Sequence, residues 1–309
     1  VRVVTFVPLS PTELSISTTN KIAAVFGDAA NTIESFGNNV NVLANMSTPA
    51  GQYVWSAMSA NTNLFELWMV DNSTSPFAMV DIERNLKCYL ANATTPDWST
   101  FQYNPANGMF TNPGTVFQSY NPYLRPWYQV AMSNMGKVGV GAVGGLYGTP
   151  IASYMLSKMY TVNMNGQIFG GVMTGVLTAD HITDSLQAAL GSSGGLGLVY
   201  EYTSGKVVAT SWKQSVADYT QFDPASHTPV IVLPNIGTIS SQPQMRMALD
   251  ELGGMAVLTQ AGMSNQGVSM LTSQGWVNVR PVVTNSLQGL MVRVVTFVPL
   301  SPTELSIST

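Results

Sequence analysis

A single cysteine, Cys88, rules out an intrachain disulfide and a multi-cysteine zinc site, and leaves a small core residue as its expected role. Charge is scarce as well. Asp, Glu, Lys and Arg make up only 9% of the 309 residues, against about a quarter in ordinary soluble domains, so Ser, Thr, Asn, Gln and Gly must carry the surface. With 12 Lys and Arg against 16 Asp and Glu there is no basic stripe to follow a phosphate backbone, and nucleic acid is not an expected partner. No apolar run reaches about 18 residues, so no membrane span is expected within these residues, and no signal peptide is read. What remains is a chain 45% hydrophobic, long enough for two cores. A polar, nearly uncharged surface sets little like-charge repulsion between copies, which suits dense packing, glycan cover, fibre assembly or a lysine-poor secreted protein.

The feature that stands out is a duplication. VRVVTFVPLSPTELSIST occurs at residues 1–18 and again, letter for letter, at 292–309. An exact repeat of this length reads as one period of an array plus an overlap. Its first half is a β-branched run, with Val1, Val3, Thr5 and Val7 alternating with Arg2, Val4, Phe6 and Pro8, and suits a strand with a buried face. Its second half opens a helix. Ser10 is the N-cap, Pro11 the first helical residue and Glu13 the third, a capping box, with Leu9 and Leu14 as the hydrophobic staple. The stripe Ile22, Phe26, Ala29, Ile33, Phe36, Val40 and Leu43 then predicts a helix from Pro11 to about Asn45, roughly 50 Å long. The junction residues are therefore Val1, Val3, Phe6, Ser10, Pro11 and Glu13, with Val292, Phe297 and Ser301 in the second copy.

Further along, residues 64–70 and 77–82 read as strands, and 92–122, rich in Asn, Pro, Gly and aromatics, as a long ordered loop. A short helix is expected over 126–132 and a hairpin over 151–162 and 167–177. Asp180 is read as the cap of a helix over 182–190. Gly191 to Gly195 is the expected domain boundary. Beyond it come a hairpin over 196–202 and 206–210, a Pro-rich connection, a helix over 244–252 and strands over 267–271, 276–283 and 290–300.

Several motifs carry no chemistry. Gly139-Val140-Gly141-Ala142-Val143-Gly144 spells a dinucleotide glycine pattern, but no helix follows and no acidic residue lies about 20 positions on. Gly191-Ser192-Ser193-Gly194-Gly195 spells a nucleophile elbow in the reverse order of elements. His181 and His227 lack metal or catalytic companions. No catalytic constellation, metal site or cofactor is expected, and the chain is not read as an enzyme. Sequons at Asn45, Asn72 and Asn92 are glycosylation candidates in loop-like settings.

Tyr120-Asn121-Pro122-Tyr123-Leu124-Arg125-Pro126-Trp127-Tyr128 resembles the motif of double Cache domains, the extracellular modules of many receptors. Gly166 to Leu177 is similar to that family's following strand, and the order of elements agrees over nearly the whole chain. The resemblance implies an α+β fold, a long N-terminal helix carrying two PAS/Cache-like mixed α/β sheet domains. Together with the duplication it divides the chain into 1–10, a strand of the preceding unit or neighbour; 11–46, a spine helix; 47–190 and 191–300, the distal and proximal domains; and 301–309, the start of a next helix. It also implies an extracellular or cell-surface location. In amino-acid sensors of the family the motif arginine and tryptophan hold the ligand carboxylate and an aspartate on the glycine strand holds the amine. By position Arg125 and Trp127 match, with Tyr154 and Tyr120 as further candidates, whereas Val176 stands where the aspartate falls. Two functions follow. One is a structural unit of an extracellular fibre or tandem array, whose partners are copies of itself, with glycans. The other is a receptor domain binding a small anionic carboxylate, with a membrane helix beyond residue 309.

Overall fold

A computed structural model of the chain describes all residues except 1–8, 39–47, 72–77, 84–86, 93–94, 108, 112–113, 115, 118–120, 146–150, 165–166, 192, 213–219, 224–227, 232, 239–241 and 301–309. Val1, Val3, Phe6, Val40, Leu43, Asn45, Asn72, Tyr120, His227 and Ser301 lie outside the described residues.

The spine helix α1 runs Pro11–Asn38. Its first turn closes the expected capping box: the Ser10 amide donates to Glu13 Oε2 at 2.9 Å, the Ser10 hydroxyl to the same oxygen at 2.7 Å, and the Glu13 amide to Ser10 Oγ at 3.3 Å. The staple is one-sided, because Leu14 is buried while Leu9 is 54% exposed. Ile22, Phe26, Ala29, Ile33 and Phe36 all enter the main core, and each of the larger side chains contributes roughly 1.5–3 kcal/mol by leaving water. Ser10→Ala is expected to cost about 1 kcal/mol, read as a lowered urea midpoint. The two bonds from Ser10 hold the Glu13 carboxyl below its ordinary value. A carboxyl whose pKa is lowered by folding adds stability above its unfolded value and loses it as pH falls, so the wild type should weaken more steeply in acid than Ser10→Ala does.

The other helices are α2 (Thr48–Ala60), α3 (Pro126–Ser133), α4 (Ala179–Leu190), α5 (Pro243–Leu252) and α6 (Gly254–Leu258). The strands before α4 are β1 (Glu66–Asp71), β2 (Ala78–Glu83), β3 (Lys87–Asn92), β4 (Thr95–Asn104), β5 (Met109–Thr111), β6 (Val116–Phe117), β7 (Val138–Val140), β8 (Gly144–Gly145), β9 (Ala152–Met164) and β10 (Gln167–Thr178). After α4 come β11 (Leu196–Glu201), β12 (Val207–Thr210), β13 (Thr220–Asp223), β14 (Thr228–Ile231), β15 (Val268–Leu271), β16 (Gly275–Pro281), β17 (Leu287–Gln288) and β18 (Val292–Pro299).

These strands form two principal sheets. The larger runs β17-β7-β9-β10-β1-β2-β3-β4-β5, with β6 on β4 and β8 on β9; the smaller runs β12-β11-β18-β16-β15; β13 and β14 pair separately. α1 lies along both sheets, touching β9 and β10 of the larger and β16 and β18 of the smaller. The second copy of the duplicated segment supplies β18, the middle strand of the smaller sheet. Val292 through Phe297 are buried without interruption. Val292 and Val294 join the core under α1, while Val295 and Phe297 join a second core with Met245 and Leu249 of α5 and Leu258 of α6.

Four expectations change. The 92–122 stretch is not one long loop: β4 pairs with β3, β5 and β6, and its aromatic residues gain partners there, Tyr103 lying 5.6 Å from Phe110 and 5.8 Å from Trp55. α2 was not foreseen, since its inward pair Val54 and Met58 is too short a stripe to announce a helix. The cap of α4 is Thr178, whose hydroxyl accepts from the His181 amide at 3.3 Å, and Asp180 sits in the first turn. Asn92, expected in a loop, ends β3, the strand that also holds Cys88.

Candidate functional site

The candidate site is built on the face of the larger sheet turned away from α1. Strand alternation sends residues two apart to one face, and the antiparallel registers line them up in rows across β2, β1, β10 and β9. One row is Glu83, Glu66, Val176 and Met155; the next holds Trp68, Thr174 and Ser157; the third holds Val70, Val172 and Met159. In the middle row Ser157 and Thr174 share a buried hydrogen bond of 2.9 Å between hydroxyls, which satisfies both without water.

The Arg-Pro-Trp-Tyr motif covers this face. Asn121 accepts from the Tyr123 amide at 2.9 Å and caps a short 3₁₀ turn over Pro122–Leu124, after which Pro126 opens α3 at the position where a missing amide costs nothing. Arg125 is the N-cap of α3 by its backbone, with extended φ −85° and ψ 143°, and its side chain makes no capping bond. Trp127, 4% exposed, meets the Trp68 ring edge-on at 5.5 Å, and Tyr128 meets Trp127 at 5.8 Å and Tyr123 at 5.1 Å. Edge-to-face pairs of this kind add about 0.5–1.5 kcal/mol beyond area burial. Trp68, Val70, Trp127, Tyr128, Ala131, Val172 and Val176 form one buried cluster, bordered by Tyr123, Met155 and Met159. Arg125, half-buried, is the backbone N-cap of the helix that carries Trp127 and Tyr128 into this cluster.

Tyr154 does not share the site. It lies on the opposite face, 5.3 Å from Phe26 of α1. Burial first, then the charge of Glu201 and a hydrogen bond to its carboxylate, push its pKa well up. Glu201, in β11, is itself buried and accepts from the Val143 amide at 2.7 Å and the Ser204 hydroxyl at 3.0 Å, so this group ties the two sheets together. Position in the sequence alone put Tyr154 with Arg125; the parity of β9 separates them.

Glu66 was overlooked. It stands opposite Val176 in the β1–β10 register, on the face that carries Trp68, and is 3% exposed, with Glu83 next in the same row. The signal was legible as a glutamate inside the otherwise apolar run from Leu64 to Val70, because buried carboxylates are rare unless something holds them. Among the described residues no three His, Cys, Asp or Glu side chains gather in a metal-binding group, and no helix is long and apolar enough to cross a membrane. His181 is satisfied by Asn63, Nε2 to Oδ1 at 2.7 Å.

Comparison by sequence finds no matching family model and no matching curated protein. Comparison by structure is productive. The chain superposes on a methyl-accepting chemotaxis protein X with a TM-score of 0.53 at 15% identity, covering 94% of this chain and 96% of that one. It superposes equally, at 0.53 and 14% identity, on the ligand-binding domain of the Pseudomonas aeruginosa PAO1 amino acid chemoreceptor PctC in complex with GABA, covering 92% and 96%. The sensory domain of the Campylobacter jejuni chemoreceptor Tlp3, with isoleucine bound, gives 0.50 at 10% identity over 96% and 93%. With a helix spanning two sheets and an Arg-Pro-Trp-Tyr turn on the outer face of the first, this chain has the double Cache fold.

Proposed function

We propose that this chain is an extracellular ligand-binding module, and that its larger sheet binds a small carboxylate with an apolar body between β1, β10, β9 and the start of α3. The observation that carries this is the seating of Trp127 and Tyr128, directly after Arg125 at the start of α3, over the Trp68 face in a double Cache fold. The guanidinium of Arg125 supplies paired donors for a carboxylate, and its worth rises beside an apolar wall. Trp68, Trp127, Val172, Val176 and Met155 offer that wall. Val176 removes the acidic group that would hold an amine on β10. Glu66, one strand over, keeps a carboxylate on the same face, so any amine in the ligand is held from β1.

Titration calorimetry with short monocarboxylates and with the corresponding amino acids tests the reading. At least one carboxylate should bind, and Arg125→Ala should weaken it by about 100-fold, the loss of one charge-assisted, two-pronged contact. Silence from the whole panel, with the chain folded by circular dichroism, would remove the proposal. The neighbouring structures are described as ligand-binding domains, which ranks this reading above a purely structural fibre unit.

One observation favours a second, compatible reading, in which units of this fold follow one another in a chain. The duplicated segment is used in complementary ways: its second copy supplies the middle strand β18, and the latter half of its first copy caps and opens α1. In that reading a single copy supplies both the closing strand of one unit and the helix start of the next.

A further inference from the structure

The first turns of α1 carry an apolar stripe that this chain leaves open. Leu9, just ahead of the N-cap Ser10, is 54% and Ile16, in the second turn, 42% exposed. With Glu13, Ser17, Asn20 and Ala24 they line a shallow groove. At the other end of the same duplicated segment, β18 leaves its sheet beside the β15–β16 turn. Gly275 pairs with Pro299, and the Leu300 amide donates to the Gln274 carbonyl at 3.2 Å. The turn is held firmly: Thr272 Oγ1 donates to the Gly275 carbonyl at 2.7 Å, and the Ser273 amide donates to Glu251 at 2.7 Å. Next to it Leu271 is 51% exposed at the sheet edge, opposite Trp276, which pairs in turn with Val298.

Leu9 and Leu300 are the same residue of the repeated segment. We propose that the open stripe of α1 is the docking surface for the β15–β16 turn of a second copy of this fold, joined in front of it through one shared copy of that segment. This rests on the head-to-tail reading. In such a join Leu9 becomes the preceding unit's Leu300, half-buried with its amide on Gln274. The capping box opens at the very next residue, Ser10, so no flexible linker intervenes. Chain continuity brings the apolar edge at Leu271 against Leu9 and Ile16, and each covers what the other leaves in water. The contact would hold the angle between units, presenting successive ligand faces in a regular order.

A chain of two units sharing one segment, residues 1–309 followed by 19–309, tests this against the 309-residue chain. In the two-unit chain the stripe of the second unit is represented by Ile307, the counterpart of Ile16. Ile307→Asp, or Leu271→Asp in the first unit, should lower the melting temperature by about 3 °C or more and broaden the distance distribution seen by small-angle X-ray scattering. The same changes at the outer positions, Ile16 of the first unit and Leu271 of the second, should move neither, nor should they move the 309-residue chain. Equal effects at inner and outer positions, with both units folded, would overturn the docking surface and leave head-to-tail order standing. A two-unit chain in which only one unit folds, judged by helical ellipticity per residue, would overturn the order itself.

Discussion

Arg293→Leu should destabilise the smaller sheet by about 3–5 kcal/mol, the largest effect expected of any single change in this half of the chain. Arg293 is 1% exposed in the middle of β18, a place where a guanidinium survives only if its donors are occupied. Its Nη1 donates to the Leu258 carbonyl at 2.6 Å, its Nη2 donates to the Gln260 carbonyl, and its plane lies 4.2 Å from the centroid of the Tyr202 ring. The arginine thus stitches the end of α6 onto the sheet. Leucine fills much of the volume but takes a donor from each carbonyl, leaving Leu258 only the Tyr200 hydroxyl. Lysine should rescue only part of the loss, because one ammonium cannot bridge two carbonyls and stack on a ring at once. Urea unfolding of the 309-residue chain reads both.

The same cluster sets an alkaline limit. Tyr200, whose hydroxyl donates to Leu258 at 2.7 Å, has its pKa pushed from 10.0 to about 12 by burial, with Arg293 pulling the other way. A phenol whose pKa is raised by folding adds stability below its unfolded value and loses it as pH climbs to the folded one. Stability should therefore fall between about pH 10 and 12, a window that circular dichroism during an alkaline titration can follow.

Gly171→Ala should be the most damaging change in the larger sheet. A Cβ built at Gly171 would fall on the Val70 carbonyl oxygen and the Tyr160 ring, and that hydroxyl already donates to Val70 at 2.9 Å. Backbone cannot yield as a side chain does, so β1 and β10 would have to part, at a cost of about 3 kcal/mol or more. These two strands carry Glu66, Trp68, Val172 and Val176. The expected result is a lowered melting temperature together with lost carboxylate binding, whereas Arg125→Ala should lose binding alone. Gly175 obeys the same logic more gently: its Cβ would meet Leu64 at 2.9 Å and Ile33 at 3.0 Å, which is how α1 comes close to this sheet.

Much of the architecture could be read from residue order. The start of α1 was legible because a capping box is a local chemical fact, four residues long, that no distant contact has to complete. The β9–β10 hairpin was legible because two long arms flank the Asn163-Met164-Asn165-Gly166 sequence signal. The double Cache motif was legible in nine consecutive residues. By contrast, β4 to β6 were hidden because their aromatics do not alternate cleanly until β3 and α2 give them something to pack on. Tyr154 parts from Trp127 because a residue's face on a strand depends on register, and one step in register reverses it.

Sequence by itself determined the long capped helix, the two sets of strands, the scarcity of charge and the doubled segment, since each depends on neighbours along the chain. Only the tertiary structure decided which residues meet. It set Trp127 on Trp68, stood Glu66 opposite Val176, moved Tyr154 to the far side and gave buried Arg293 its carbonyl partners. The reason is that a sheet face is assembled from strands distant in sequence. Its chemistry is fixed by pairing registers, which follow from the packing of the whole and not from any stretch of it.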